Sequence, residues 1–316
     1  MSATVSLPPV IWLVGIIGLF VWMLFRPFDG RPWKVLAFIA FLAAEPISNA
    51  VMNVEKHAFP LKYDHLLQAI DQTVGLTAFS VARRLAEWQR VTVFWIYESL
   101  TLAMVAWYLL QLVLKNGKPR QLLYAYMLAY FLGPALYLVV PACGPRHAFG
   151  AAFPLGQPSV ALKLVALNFW PNAMPSLHLA TALLFVLFPA GNRVVRAIGW
   201  LFVAGTIVGT LAFEHYVIDL VVAVPYAWFA FTAAQGRVRA ALGYLGCVLA
   251  WLLLIRLETP LLVEHQFLLR IAVLLTVWPA VWLVVNSAMG SQGSELPVLW
   301  KRRTMYTRHH RPVRDL

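Results

Sequence analysis

Residues 193–234 read RVVRAIGWLFVAGTIVGTLAFEHYVIDLVVAVPYAWFAFTAA. Two mostly apolar runs, 195–212 and 216–234, meet at a hinge that carries Glu214 and His215. A helix of about 18 residues crosses a hydrocarbon core roughly 30 Å thick, so each run is long enough to span a bilayer. Working outward, runs of the same kind recur near 8–25, 34–52, 91–114, 121–141, 174–190, 239–256 and 267–286. This spacing predicts an all-α, polytopic transmembrane bundle of about nine spans. Pro, Gly and charge separate the runs, as in Arg26-Pro27, Lys115-Asn116-Gly117-Lys118-Pro119 and Gly191-Asn192-Arg193.

Composition excludes the soluble alternatives. Of the 316 residues 61% are hydrophobic and only 12% charged, and the mean hydropathy is +0.73. A soluble domain has too few charges here to cover its apolar surface. The formal net charge of +12 sits in short loops and in the tail from Lys301 to Arg314. That is where anionic lipid attracts cations, so no nucleic-acid partner is expected. The two cysteines, Cys143 and Cys247, form neither a disulfide framework nor a CxxC metal motif. The first apolar run follows no Lys or Arg and precedes no small-residue cleavage pattern, so it reads as a retained span.

Alternate loops of a nine-span bundle share a side. One side collects Arg26, Arg31, Lys34, Lys115, Lys118, Arg120, Arg193, Arg196, Arg237, Arg239 and the tail cations. The positive-inside rule then places the C-terminus in the cytoplasm and the N-terminus outside. Five regions follow: N-terminal spans (1–52), an interfacial amphipathic segment (53–90), a membrane core (91–235), C-terminal spans (236–290) and a basic tail (291–316). In the second region Leu66, Leu67, Ile70 and Val74 fall at helical spacing, with Asp64, Gln68 and Asp71 elsewhere. That pattern predicts a helix lying in the interface, or a plain connector.

Three polar strings sit where apolar runs begin or end: Pro141-Ala142-Cys143-Gly144-Pro145-Arg146-His147, Met174-Pro175-Ser176-Leu177-His178 and Glu214-His215-Tyr216-Val217-Ile218-Asp219. The nine-span arrangement puts all three on the extracytoplasmic face. His215 and Asp219, four apart, share one face of a helix. A carboxylate there can hold one imidazole nitrogen and leave the other with a free lone pair, as a nucleophile requires. Pro175 suits a first helical turn, whose free amides at Ser176, Leu177 and His178 favour an anion. His178 is then placed to protonate a leaving oxygen, and Arg146 to grip phosphate oxygens in a bidentate manner. Singly, each string also reads as ordinary interfacial capping; together on one face they point to phosphoryl chemistry. Glu45, Asn49 and Asn53 share a helix face and Glu98 lies inside a run, reading either as a pocket lining or as a structural network.

These strings resemble the type 2 phosphatidic acid phosphatase superfamily, and within it the inositol phosphorylceramide synthase and sphingomyelin synthase branch. The matching residues are PSLH at 175–178, HYVIDLV at 215–221, VVPACGPR at 139–146 and YDHLLQAID at 63–71, and the similarity covers about 60–235. The resemblance implies a six-helix phosphatase-like core and a cofactor-free, metal-independent lipid phosphatase or head-group transferase. Its substrate would be a phospholipid, an inositol-type lipid or an isoprenoid phosphate, in contact with membrane lipids. It implies His215 as the nucleophile forming a phosphohistidine, Asp219 as its orienting partner and His178 as acid and base. Arg146 and Ser176 are the expected phosphate contacts, and Asp64, Asp71 and Tyr216 are candidates for lining the substrate pocket. The chain departs from the family pattern at Val139, where a lysine is usual, at His147, where a proline is usual, and at Val208-Gly209, where Ser-Arg is usual. These departures shift weight towards transfer. Two rivals remain: a metal-dependent hydrolase using His178, His215 and Asp219 as ligands, and a non-catalytic lipid transporter or scaffold.

Overall fold

The computed structural model describes residues 33–114 and 117–288. The expected span at 8–25 and the basic tail at 291–316 lie outside the described residues. The chain divides into two compact units, Met1–Val277 and Trp278–Leu316; the packing that follows belongs to the first. Of the second, the described part is the end of the last helix.

The chain opens with α1 (Trp33–Ala58), a short β1 (Leu61–Lys62), α2 (Asp64–Val74) and α3 (Ala78–Arg84). Next come α4 (Glu87–Glu98), α5 (Leu100–Val113), α6 (Pro119–Tyr137) and the one-turn α7 (Pro145–Phe149). A 3-10 turn (Gly150–Ala152) and β2 (Val165–Ala166) lead to α8 (Leu177–Leu187), α9 (Arg193–Phe213) and α10 (Val217–Ala234). The last elements are α11 (Val238–Glu264) and α12 (Gln266–Ala288). A ribbon of two residues per strand, β1 antiparallel to β2, interrupts the otherwise helical plan.

Helix α10 is the axis of the bundle. It packs against α6, α8 and α11 and is apolar on every side, with Val222, Ala223, Tyr226, Ala227 and Ala230 fully buried. An all-round apolar helix belongs in an interior. Helix α9 packs on α8 and α4, and α1 on α6. By contrast, α11 and the first turns of α12 expose Leu242, Leu253, Leu257, Leu268 and Leu274, a surface that suits hydrocarbon rather than water.

By length and composition α9, α10, α11 and Gln266–Val285 can each cross a membrane, and the bent pair α4–α5 makes a fifth. Four to five such helices among the described residues fit an integral membrane protein. The predicted run 91–114 breaks into α4 and α5 with a 53° bend at Ser99, whose hydroxyl turns back to the Ile96 carbonyl. The predicted run 174–190 yields a helix only over Leu177–Leu187, about 16 Å long at 1.5 Å per residue. It stops at Phe188, whose carbonyl accepts from Trp107 Nε1 (3.0 Å) and Gln111 Nε2 (2.8 Å). Pro189 follows directly, disfavours helical backbone at Phe188 and has no N–H to continue the helix; the two side chains satisfy the carbonyl left free there.

In the 53–90 region, where an interfacial helix or a plain connector is expected, the structure places α2 and α3 between β1 and α4. In α2 both faces are inside: Leu67 and Ile70, and equally Asp64, Gln68 and Asp71, are fully buried. The carboxylates point inward because backbone N–H groups of two other segments need acceptors there.

Candidate active site

Helix α2 braces the region where the three polar strings meet. Asp64 Oδ1 accepts from Gly144 N (2.8 Å) and the Tyr216 hydroxyl (2.9 Å), and both its oxygens lie 3.1 Å from Cys143 N. Two turns along the same face, Asp71 accepts from Val217 N (2.7 Å) and Ile218 N (3.0 Å). These are free amides of the first turn of α10, which need an acceptor and favour a negative charge. One short helix therefore ties the 141–147 string to the 214–219 string. Burial raises the Asp64 carboxyl to about 7, against the downward pull of its N–H donors, and burial likewise holds Asp71 well above the usual carboxylate range. Asp64, Asp71 and Tyr216 thus appear as internal ties, with Asp64 and the Tyr216 hydroxyl bonded to each other.

Backbone contacts draw in the middle string. Ala142 O accepts from Asn172 N (3.0 Å) and Ala173 N (3.1 Å), and Asp219 O accepts from Ser176 N (3.3 Å). Ser176 caps α8, its hydroxyl accepting from Leu179 N (3.3 Å). Gly144, at φ 88°, lies so close to Glu214 that a Cβ would sit 1.8 Å from its carbonyl oxygen. Only glycine allows the two strings this approach.

His215 is 1% exposed. Its Nδ1 donates to the Ala173 carbonyl (2.8 Å) and lies 3.4 Å from Asp219 Oδ2. The same carboxylate oxygen accepts from Tyr216 N (2.8 Å), so the His–Asp pair is built across a helix N-terminus. A carbonyl cannot donate, so the Nδ1 proton is fixed and the lone pair falls on Nε2. Nε2 is buried with no hydrogen-bond partner, an orphan that calls for explanation.

His178, in the first turn of α8, faces it. The two rings lie edge to face with centroids 5.9 Å apart. The His178 ring stacks on Tyr97 at 4.1 Å, with Nδ1 3.3 Å from the Tyr97 hydroxyl. That hydroxyl donates to Glu214 Oε2 (2.9 Å), which is also 3.4 Å from Asn172 Nδ2. The hydroxyl proton goes to the carboxylate, so the Tyr97 oxygen faces His178 Nδ1 as an acceptor. Of the two imidazoles, His215 has its Nδ1 engaged and its Nε2 available.

Arg146 lies in α7 with its side chain exposed, and the His147 ring stacks on Phe169 at 3.6 Å. Among the described residues no three His, Cys, Asp or Glu side chains converge as a metal-binding set. Sequence reasoning gave no role to Tyr97, Glu214, Asn172 or the Ala173 carbonyl. Glu214 was visible beside His215 in the hinge; Tyr97 lies far away in sequence, within an apolar run, and carried no local signal.

A family profile described as PAP2 superfamily matches residues 65–233, more than half of the chain and inclusive of α2 from its second residue, both proposed catalytic histidines and Asp219. The chain belongs to the PAP2 superfamily. PAP2 superfamily membership points to a membrane enzyme with phosphatase or phosphotransferase activity on lipid phosphates. Comparison with curated proteins and with solved structures gives no match.

Proposed function

We propose that this PAP2 protein is a lipid phosphatase or phospho-head-group transferase that works through a phosphohistidine on His215, without a metal. The observation that supports it best is the buried, unpartnered Nε2 of His215 facing a second imidazole across 5.9 Å. In the first step, which starts from the imidazolium form of His178, the Nε2 lone pair of His215 attacks phosphorus, the bond to the leaving alkoxide breaks in line, and the Nε2 proton of His178 passes to the leaving oxygen. The Ala173 carbonyl and Asp219 hold the Nδ1 proton of His215 and offset the positive charge that grows on the ring. In the second step neutral His178 takes a proton from water or from a lipid or polyol hydroxyl. That oxygen attacks phosphorus and the N–P bond breaks. Positioning and charge stabilisation supply most of the acceleration.

Arg146 and the Leu177 and His178 amides are the phosphate contacts in this reading; Ser176, expected among them, has its amide bonded to Asp219 O and its hydroxyl to Leu179 N instead. The resemblance of VVPACGPR and HYVIDLV to the inositol phosphorylceramide synthase branch favours transfer from an inositol-type or related phospholipid. With the N-terminus outside and the C-terminus cytoplasmic, as the placement of Lys and Arg favours, the pocket lies on the extracytoplasmic face.

The test is chemical trapping. Purified protein is quenched after brief exposure to phosphatidic acid, a polyprenyl pyrophosphate or phosphatidylinositol, each labelled in its phosphate. An acid-labile, base-stable label on wild type that disappears in His215→Ala is the expected result, with turnover resistant to chelators and sensitive to vanadate. Turnover on any of these substrates that survives His215→Ala, or that chelation abolishes, overturns the proposal.

A further inference from the structure

The proposed chemistry uses two histidines and one aspartate, yet His178 has an architecture of its own. Three helical regions converge on it: α4 brings Tyr97, the hinge before α10 brings Glu214, and α8 carries His178 itself. The approach of α4 is eased by a glycine. A Cβ on Gly209 would lie 3.0 Å from Val93 O and 3.1 Å from Tyr97 Cβ, so α9 is bare where α4 presses Tyr97 inward. Tyr97 is 6% exposed, and its hydroxyl has a fixed direction because Glu214 Oε2 is its acceptor at 2.9 Å.

We propose that Tyr97 and Glu214 are positioning residues for His178, forming a hydroxyl-bridged carboxylate relay parallel to the Ala173–Asp219 pairing of His215. The inference rests on the reading of His178 as acid and base. The relay moves no proton along its length. Tyr97 keeps its hydroxyl proton directed at Glu214, and its oxygen keeps the Nδ1 proton of His178. What changes is the charge on the ring: when Nε2 takes a proton from the attacking hydroxyl, the imidazolium is offset by the Glu214 carboxylate through the polarised hydroxyl. When that proton passes to a leaving alkoxide, the ring returns to its neutral form with unchanged orientation. The charged and titratable neighbours of this set are His215 on the far side of His178, and Glu98 and His147 within electrostatic reach of Glu214. Asn172 adds a neutral N–H to the same carboxylate oxygen.

The consequence is a dependence on the leaving group. An alkoxide leaving group needs the proton from His178, whereas p-nitrophenolate leaves without one. The experiment compares wild type, Tyr97→Phe, Glu214→Gln and His215→Ala in detergent micelles. One measurement is release of phosphate from dioctanoyl phosphatidic acid; the other is the p-nitrophenol burst from p-nitrophenyl phosphate. Tyr97→Phe and Glu214→Gln are expected to lose at least about 10-fold on the lipid, a part of the ~10²–10⁴ that acid–base catalysis contributes. Their burst rate should stay within about threefold of wild type, because formation of the phosphohistidine no longer draws on His178. Equal losses on both substrates would mark Tyr97 and Glu214 as structural and overturn the relay, as would undiminished turnover of the lipid. His215→Ala separates the two levels: a burst that persists in it removes the phosphohistidine reading itself, whatever the relay variants do.

Discussion

Replacing Gly144 by alanine tests how tightly the polar strings must approach. At φ 88° and ψ 159° Gly144 occupies a region that is essentially glycine-only and costs other residues about 1–3 kcal/mol. The added Cβ would lie 1.8 Å from the Glu214 carbonyl oxygen and 2.8 Å from its carbon. Ordinary C···O contact is about 3.3 Å, so one backbone must retreat by roughly 1.5 Å. Neither can do so freely: Gly144 N is tied to Asp64 at 2.8 Å, and Glu214 N to Thr210 O at 2.9 Å. The retreat carries Glu214 and the adjoining His215 away from His178, and a misplacement of about 1 Å can lower a rate about 100-fold. The expected outcome is a kcat lower by about two orders of magnitude and a melting temperature lowered in the same detergent. Gly150→Ala is the control. Its φ of 50° carries similar backbone strain, but nothing lies within 4 Å of the added atom, so it should lose stability and keep most activity. Gly144→Ala with kcat within about twofold of wild type, or Gly150→Ala with an equal loss of rate, would refute the reasoning.

Further outcomes follow from the same geometry. Asp71→Ala leaves the Val217 and Ile218 amides unsatisfied and should destabilise the protein by about 1–3 kcal/mol for each buried donor, measured by thermal unfolding in detergent. Asp64 has a folded-state pKa of about 7 against about 3.9 unfolded. Its titration therefore favours the folded state fully below about pH 4 and loses that contribution as pH rises to about 7. Asp64→Asn should flatten the fall in melting temperature across this window; an unchanged slope would exclude Asp64 as its source. Arg146→Ala should raise KM for a phosphorylated lipid and leave kcat nearly unchanged, read from saturation curves.

The helical, membrane-embedded class was legible from the apolar runs alone, because crossing a hydrocarbon core sets a minimum length that composition reveals. The strings carrying His178, His215, Asp219 and Arg146 were legible for a related reason: ionisable residues are scarce in such a chain and stand out at the ends of apolar runs. The i,i+4 relation of His215 and Asp219 is local, and helical periodicity is enough to read it.

What lay beyond the sequence was the atomic contacts between distant segments. The run 174–190 looks like a span, but α8 ends at Phe188, before Pro189; that Trp107 and Gln111 take the freed carbonyl is marked by no local signal. Asp64 and Asp71 looked like the polar side of a surface helix; burial against the 143–144 and 217–218 amides made them ties instead. The partner of His178 is a tyrosine 81 positions away, and the nearest acceptor for the Nδ1 proton of His215 is a backbone carbonyl rather than the expected carboxylate. Spacing along a chain specifies which residues share a helix face. Which carbonyl, amide or hydroxyl meets them depends on packing between helices, and only the folded arrangement sets those distances.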